Sequence, residues 1–206
     1  FLVLILLLAS CQSKKNQRQE AIQSVDVDLN LVRFDSIFMN TPPKEVRQLS
    51  QKFPQFFQSR YDDEIWVKKR KDSLMQVIQA EVEKQFSSTD TLKNKLKKLF
   101  QHYKYYFPKS QIPAVYTVAE YVDYRNKVLL EDDNLIISLD NYLGAEHRFY
   151  NGFEDYISGL QTKNQILPDV VSALSKKVVR DNKQRSFIAY MINYGKTEYL
   201  KDRLIP

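Results

Sequence analysis

Two short runs decide the fold class: Pro113-Ala114-Val115-Tyr116-Thr117-Val118 and Leu135-Ile136-Ile137-Ser138-Leu139. Both are rich in β-branched and aromatic residues and too short for a buried helix, so each predicts a strand. Between them, Asn126–Leu130 predicts a third strand, paired with Leu135–Leu139 across the polar turn Glu131-Asp132-Asp133-Asn134. Upstream, Val25, Val27, Leu29 and Leu31 alternate with Asp26, Asp28 and Asn30, a period of two that predicts a strand over 25–32. The sheet therefore has about four strands.

Helices account for the rest. Asp35–Met39 starts one, and Thr41-Pro42-Pro43 reads as an N-cap with early prolines for a helix carrying Val46 and Leu49 and ending before Pro54. Phe53, Phe56 and Phe57 around Pro54 predict an aromatic core corner, and Trp66 a packing anchor. Over 72–86, Leu74, Val77, Ile78, Val82 and Phe86 lie at helical spacing. Over 91–107, Leu92, Leu96, Leu99, Phe100 and Tyr103 do the same, with Lys93, Lys95, Lys97 and Lys98 opposite. Further helices are expected over 168–182 and 185–203, the last with Ile188, Met191, Ile192, Gly195 and Tyr199 on one face and a close contact at Gly195. With no internal repeat and no linker, the reading is α+β: a helix-rich single domain with a small sheet.

Composition excludes several chemistries. The chain of 206 residues has four glycines, Gly144, Gly152, Gly159 and Gly195, and none before Gly144. Gly-rich phosphate loops and the G-x-S-x-G elbow are absent. Tight two-residue hairpins, which favour glycine at positive φ, are not expected. One cysteine, Cys11, permits no internal disulfide and no Cys-based zinc site, and there are two histidines, His102 and His147. The net charge of +6 suits anionic surfaces. Its basic residues are spread along the chain without a recognised motif, and no nucleic-acid partner is expected.

The N-terminus reads as an address. Residues 1–9, Phe-Leu-Val-Leu-Ile-Leu-Leu-Leu-Ala, are too few to span a bilayer but match a signal-peptide h-region. Leu8-Ala9-Ser10-Cys11 resembles a bacterial lipobox, with cleavage after Ser10 and lipidation of Cys11. The alternative is a buried strand that carries a cysteine. Without a Met or a basic n-region, the signal peptide 1–10 is expected to be clipped at its start. Residues 11–24 then form the lipidated cysteine and a polar tether, with Lys14, Lys15 and Arg18 near the headgroups. A bilayer partner through acylated Cys11 and a periplasmic-side location follow as expectations.

Candidate chemistry concentrates in Leu139-Asp140-Asn141-Tyr142-Leu143-Gly144-Ala145-Glu146-His147, just past a strand end. Asp140, Tyr142, Gly144, Glu146 and His147 form the candidate functional segment. A carboxylate-rich stretch with a histidine can supply a general base or a metal ligand. Equally, Asp140 can cap a helix and His147 can lie on the surface. Ligand density is low with one histidine, so no catalytic residue, metal or cofactor is assigned.

Six segments in order carry a family resemblance: Val32-Arg33-Phe34-Asp35 with Phe38; Phe53-Pro54-Gln55-Phe56-Phe57; Leu99-Phe100-Gln101-His102-Tyr103-Lys104-Tyr105-Tyr106-Phe107-Pro108; Ile137-Ser138-Leu139-Asp140-Asn141-Tyr142-Leu143-Gly144; Leu167-Pro168-Asp169; and Met191-Ile192-Asn193-Tyr194-Gly195-Lys196. From about residue 25 to the end, the chain resembles the gliding-motility lipoprotein B family (GldB) of Bacteroidetes. The resemblance implies a lipid-anchored envelope protein required for gliding linked to type IX secretion, with partners in the gliding machinery. It also implies that residues 25–206 form a domain truncated at Pro206.

A more distant likeness joins Asn193-Tyr194-Gly195-Lys196 to the E-G-K-A-x-Y pattern of zincin-like metallopeptidases. Where those enzymes carry His-Glu-x-x-His, this chain has Leu174-Ser175-Lys176-Lys177-Val178, and Tyr194 replaces their glutamate. Such a scaffold, if shared, has lost its zinc. The sequence reading is a non-catalytic gliding component. Its rivals are an envelope hydrolase using the Asp140–His147 region or completed by missing C-terminal residues, and a wall-polymer binding module using the lysine helix.

Overall fold

Parallel pairing of Val115 with Leu135 sets the centre of the sheet. The computed structural model describes residues 16–58 and 60–206. Strands β1 (Leu31–Val32), β2 (Ala114–Val118), β3 (Val128–Glu131) and β4 (Asn134–Ser138) make one sheet in the order β1-β2-β4-β3. β1, β2 and β4 run parallel, while β3 pairs antiparallel with β4. The α+β class and the four-stranded sheet agree with the sequence reading.

The β3–β4 hairpin corrects one expectation. It closes through Asp132-Asp133 without glycine, and Asp132 takes φ 48°. Aspartate tolerates the left-handed region because its short polar side chain bonds locally.

Nine described helices surround the sheet: α1 (16–23), α2 (Phe34–Asn40), α3 (Val46–Lys52), α4 (Asp63–Lys71), α5 (Ser73–Gln85), α6 (Asp90–Tyr106), α7 (Asp155–Ser158), α8 (Ile166–Val178) and α9 (Phe187–Leu204). The period of two over 25–32 survives as burial: Val27 and Leu29 are buried between exposed Asp26, Asp28 and Asn30. Ladder pairing begins only at Leu31, opposite Val115. The preceding residues meet side chains of the main core, and the carbonyl of Val25 accepts from Gln101 Nε2 at 3.0 Å. Residues 16–23, inside the expected tether, are helical, with Ile22 buried.

The sheet separates two apolar layers. Val115, Leu135 and Ile137 join α5, α6 and α8 in the main core, with Leu96, Leu99 and Phe100 of α6 at 0% exposure. On the other face, Tyr116, Ile136 and Val118 meet Phe34, Phe38, Phe53, Phe56, Phe57 and Trp66. This is the expected aromatic corner. The alternation of β2 and β4 between the layers is what a strand buried on both faces requires.

Three local expectations fail. Thr41 donates its hydroxyl back to the Ile37 carbonyl at 2.7 Å instead of capping the next helix, which Pro42 and a 3-10 turn at Pro43–Glu45 introduce. In α5 the buried stripe is Met75, Ile78, Gln79 and Val82, leaving Leu74 and Val77 exposed, because a polar residue, Gln79, belongs to the inner face. In α9 the inner residues are Ala189, Leu200 and Leu204. The expected face of Ile188, Met191, Ile192 and Tyr199 is exposed, and a Cβ added at Gly195 meets nothing within 4 Å. No described helix is long and apolar enough to cross a membrane.

Candidate functional site

Parallel strands bring their carboxyl ends to one edge, the usual place for a ligand in such sheets. Here β1 leads into Arg33-Phe34-Asp35, β2 into Ala119-Glu120, and β4 into Leu139-Asp140-Asn141. Three carboxylates from distant parts of the chain thus follow adjacent strands.

Asp35 is shut inside the protein. Its carboxylate accepts from Arg33 Nε at 3.0 Å and Arg33 Nη2 at 2.7 Å, from Gln79 Nε2 at 3.3 Å, and from the Thr117 hydroxyl. Arg33 also donates to the Phe86 carbonyl at 2.7 Å, which ties β1 to the end of α5. These donors replace the water that burial strips from a carboxyl group. Gln79 Oε1 stays buried without a partner.

Above Asp35 lies a cleft walled by Phe34, Phe38, Phe56, Phe57, Trp66 and Val118, with Lys69 and Glu120 paired at 2.6 Å on its rim. Its volume is about 50 Å³, against the several hundred Å³ of typical small-molecule sites. It has room for a methyl-sized group or a few waters.

Asp140 is fully buried in the 3-10 turn after β4. Burial pushes its carboxyl up to about 6, against hydrogen bonds from the Val122 and Glu120 backbone and with Glu120 adding to the rise. Oδ2 accepts from Val122 N at 2.7 Å, while Oδ1 has no partner. Val122 holds φ 56°, which is strained for a β-branched residue. Asp140 therefore pins the strained loop that carries Glu120.

The other candidate residues do not converge on Asp140. Tyr142 is buried and donates to Asp169 Oδ2 at 2.8 Å; Asp169 also pairs with Lys127 at 2.7 Å. Burial, reinforced by Asp169, raises the Tyr142 hydroxyl far above its ordinary value, so it acts as a donor. Gly144 turns the chain at φ 119° and donates its N–H to the Gln161 carbonyl at 2.9 Å. Glu146 is exposed. His147 Nδ1 accepts from Phe149 N at 3.3 Å, and its Nε2 lies 3.6 Å from Glu81 Oε2 on α5. Burial works against the charge of Glu81, but His147, Lys84 and Arg148 outweigh it and hold that carboxyl below the usual range. Tyr150 connects the two ends, donating to the Asp140 carbonyl at 2.7 Å and accepting from Leu143 N at 2.9 Å.

Among the described residues, no group of three or more His, Cys, Asp and Glu side chains is placed to hold a metal ion. Lys93, Lys95, Lys97 and Lys98 are exposed on α6, as a solvated face requires. His102 accepts no chemistry beyond a 2.9 Å contact from Nδ1 to the Arg203 carbonyl. Ser10 and Cys11 lie outside the described residues.

Sequence reasoning did not assign the Asp35 cluster. Arg33-x-Asp35 directly after a strand was the visible signal. Thr117 and Gln79, distant in sequence, carried none.

The family model of the gliding motility protein GldB matches residues 15–206. No curated protein and no solved structure matches the chain. The zincin-like likeness gains no support from these comparisons.

Proposed function

Because the chain belongs to the gliding motility protein GldB family, we propose that it serves as a non-catalytic, lipid-anchored component of the gliding apparatus. Acylated Cys11 holds it in the cell envelope on the periplasmic side of a membrane, and type IX secretion is the machinery to which its gliding is linked. The family match across residues 15–206 carries this reading. The site chemistry supports the non-catalytic part: Asp35, Asp169 and Glu81 are engaged by Arg33, Lys127 and His147 with Arg148, respectively.

A hydrolase reading has one observation in its favour, the raised carboxyl of Asp140 with its unpartnered oxygen at a sheet edge. The two readings separate in living cells. Deletion of the domain abolishes gliding in both. Asp140→Asn, Glu146→Gln and His147→Gln, each at normal abundance and with a melting temperature no lower than the parent's, leave gliding intact for a scaffold. Loss of gliding in any of these folded variants overturns the scaffold reading. Cys11→Ala removes lipid labelling; labelling that survives the substitution sinks the anchor.

A further inference from the structure

The first half of α9 exposes a run of large apolar side chains. Phe187 is 78% exposed, Tyr194 70%, Ile188 68% and Tyr190 64%, with Met191 and Ile192 exposed beside them. Only a narrow stripe through Ala189, Leu200 and Leu204 faces inward. The exposed apolar side chains amount to on the order of 800 Å², above the largest patch of a typical monomer.

The chain just before this patch is basic. Between Lys176 and Ser186 stand Lys177, Arg180, Lys183 and Arg185, with Asp181 as the lone acid. This loop is tied beside the apolar face. Asn193 Oδ1 accepts from Asn182 N at 2.9 Å, Asn193 Nδ2 donates to Asp181 and to the Asn182 carbonyl, and Lys196 Nζ donates to the Arg180 carbonyl at 2.8 Å. The lone acid is thus engaged, while Lys183 and Arg185 remain exposed. Aromatic and aliphatic side chains flanked by cations match the boundary between acyl chains and anionic headgroups.

The proposed anchor can reach this face. Gln101 and His102 are neighbours on α6; Gln101 Nε2 donates to the Gln23 carbonyl, and His102 contacts the Arg203 carbonyl. Gln23 and the end of α9 therefore lie against the same stretch of α6. From Arg203 back to Phe187, α9 runs about 24 Å. From Gln23, α1 covers about 12 Å and the five residues back to Cys11 span at most about 17 Å more.

We propose that the Phe187–Tyr194 half of α9, with the Arg180–Arg185 loop, docks on an anionic bilayer surface and fixes the orientation of the tethered domain. This deepens the lipid-anchor reading and rests on it for the bilayer's proximity.

The test uses the full chain carrying Phe187→Trp, in lipidated and unlipidated forms, with Trp66 fluorescence of the parent subtracted. Vesicles of phosphatidylcholine, with or without phosphatidylglycerol, contain brominated acyl chains. With phosphatidylglycerol, the introduced indole shifts to the blue and is quenched; removing that lipid or adding salt reduces the signal. Lys183→Gln with Arg185→Gln weakens the binding of the unlipidated form to anionic vesicles about tenfold or more. Insertion of the unlipidated form upholds docking even if Cys11 proves unmodified by mass spectrometry. A lipidated, vesicle-bound chain whose indole stays in water overturns docking and leaves the anchor standing. A dimer in sedimentation that Phe187→Ser with Met191→Ser makes monomeric also overturns it, since the face then pairs with a second copy.

Discussion

The carboxyl edge of the sheet and the first half of α9 place opposite kinds of group in opposite surroundings. At the edge, Asp35 and Asp140 are charged or chargeable side chains with almost no exposure. On α9, Phe187 and Ile188 are large apolar side chains with little cover. Buried acids without ligand-sized space around them serve the fold, holding β1 to α5 and the 119–122 loop to β4. Exposed aromatics contribute little to the fold's own packing. The groups richest in chemistry are closed off, and those poorest in it face outward.

Removing Asp35 is the most damaging way to probe this contrast. Asp35→Ala leaves Arg33 without its bidentate partner and strands the donors of Thr117 and Gln79. The expected loss is about 3–5 kcal/mol, the range for breaking one side of a buried ion pair. Denaturant unfolding reads it as a lower midpoint at unchanged slope. A loss below about 1 kcal/mol would place Asp35 outside the structural framework and make it a candidate for chemistry.

Asp140 has the smaller effect and the opposite sign. Its folded carboxyl, pushed up to about 6, lies above the value near 3.9 of an unfolded aspartate. The folded state therefore binds more protons between these values. Stability from this group is full below about pH 4 and is lost as pH rises through 6, for a total of about 3 kcal/mol. Asp140→Asn is fixed neutral and keeps an acceptor for Val122 N–H. The variant matches the parent near pH 4 and exceeds it at pH 7 by up to about 3 kcal/mol. Melting curves at the two pH values check the difference. A variant destabilised at pH 7 would mean that the carboxylate itself is needed.

The sequence made most of the sheet legible, left the pairings at its carboxyl edge hidden and misread α9, for physical reasons. Strand and helix order follows from local periodicity, which is why β2, β3, β4 and the inner face of α6 read correctly, while residues 25–30 keep the period of two without a ladder. The acids at the edge depend on pairings such as Asp35 with Thr117, which no local pattern displays. Gln79 hid the true stripe of α5 because a buried glutamine breaks an apolar count. On α9, apolar residues surround the helix, so periodicity alone could not say which side the core takes. Leu200 and Leu204 settle it in the fold, and the richer side is left outside.

The smallest stability effect belongs to α9, and its smallness is the informative part. Phe187→Ser with Ile188→Ser changes two exposed side chains next to Ser186, whose hydroxyl accepts from Ala189 N at 3.2 Å. Serine has a helix propensity close to that of phenylalanine and isoleucine, and the capping bond is untouched. Exposed substitutions away from special features stay within about 0.5 kcal/mol. Leu204, fully buried at the other end of the same helix, supplies the scale: Leu204→Ala costs about 2–5 kcal/mol. Unfolding of the two variants in solution, without vesicles, measures both ends of α9 on one axis. Equal losses at the two ends would mean that Phe187 and Ile188 are covered within the folded chain, and the contrast between the closed sheet edge and the open helix would collapse. An undisturbed midpoint for the serine pair, beside a clear loss for Leu204→Ala, leaves these side chains free for a surface outside the domain.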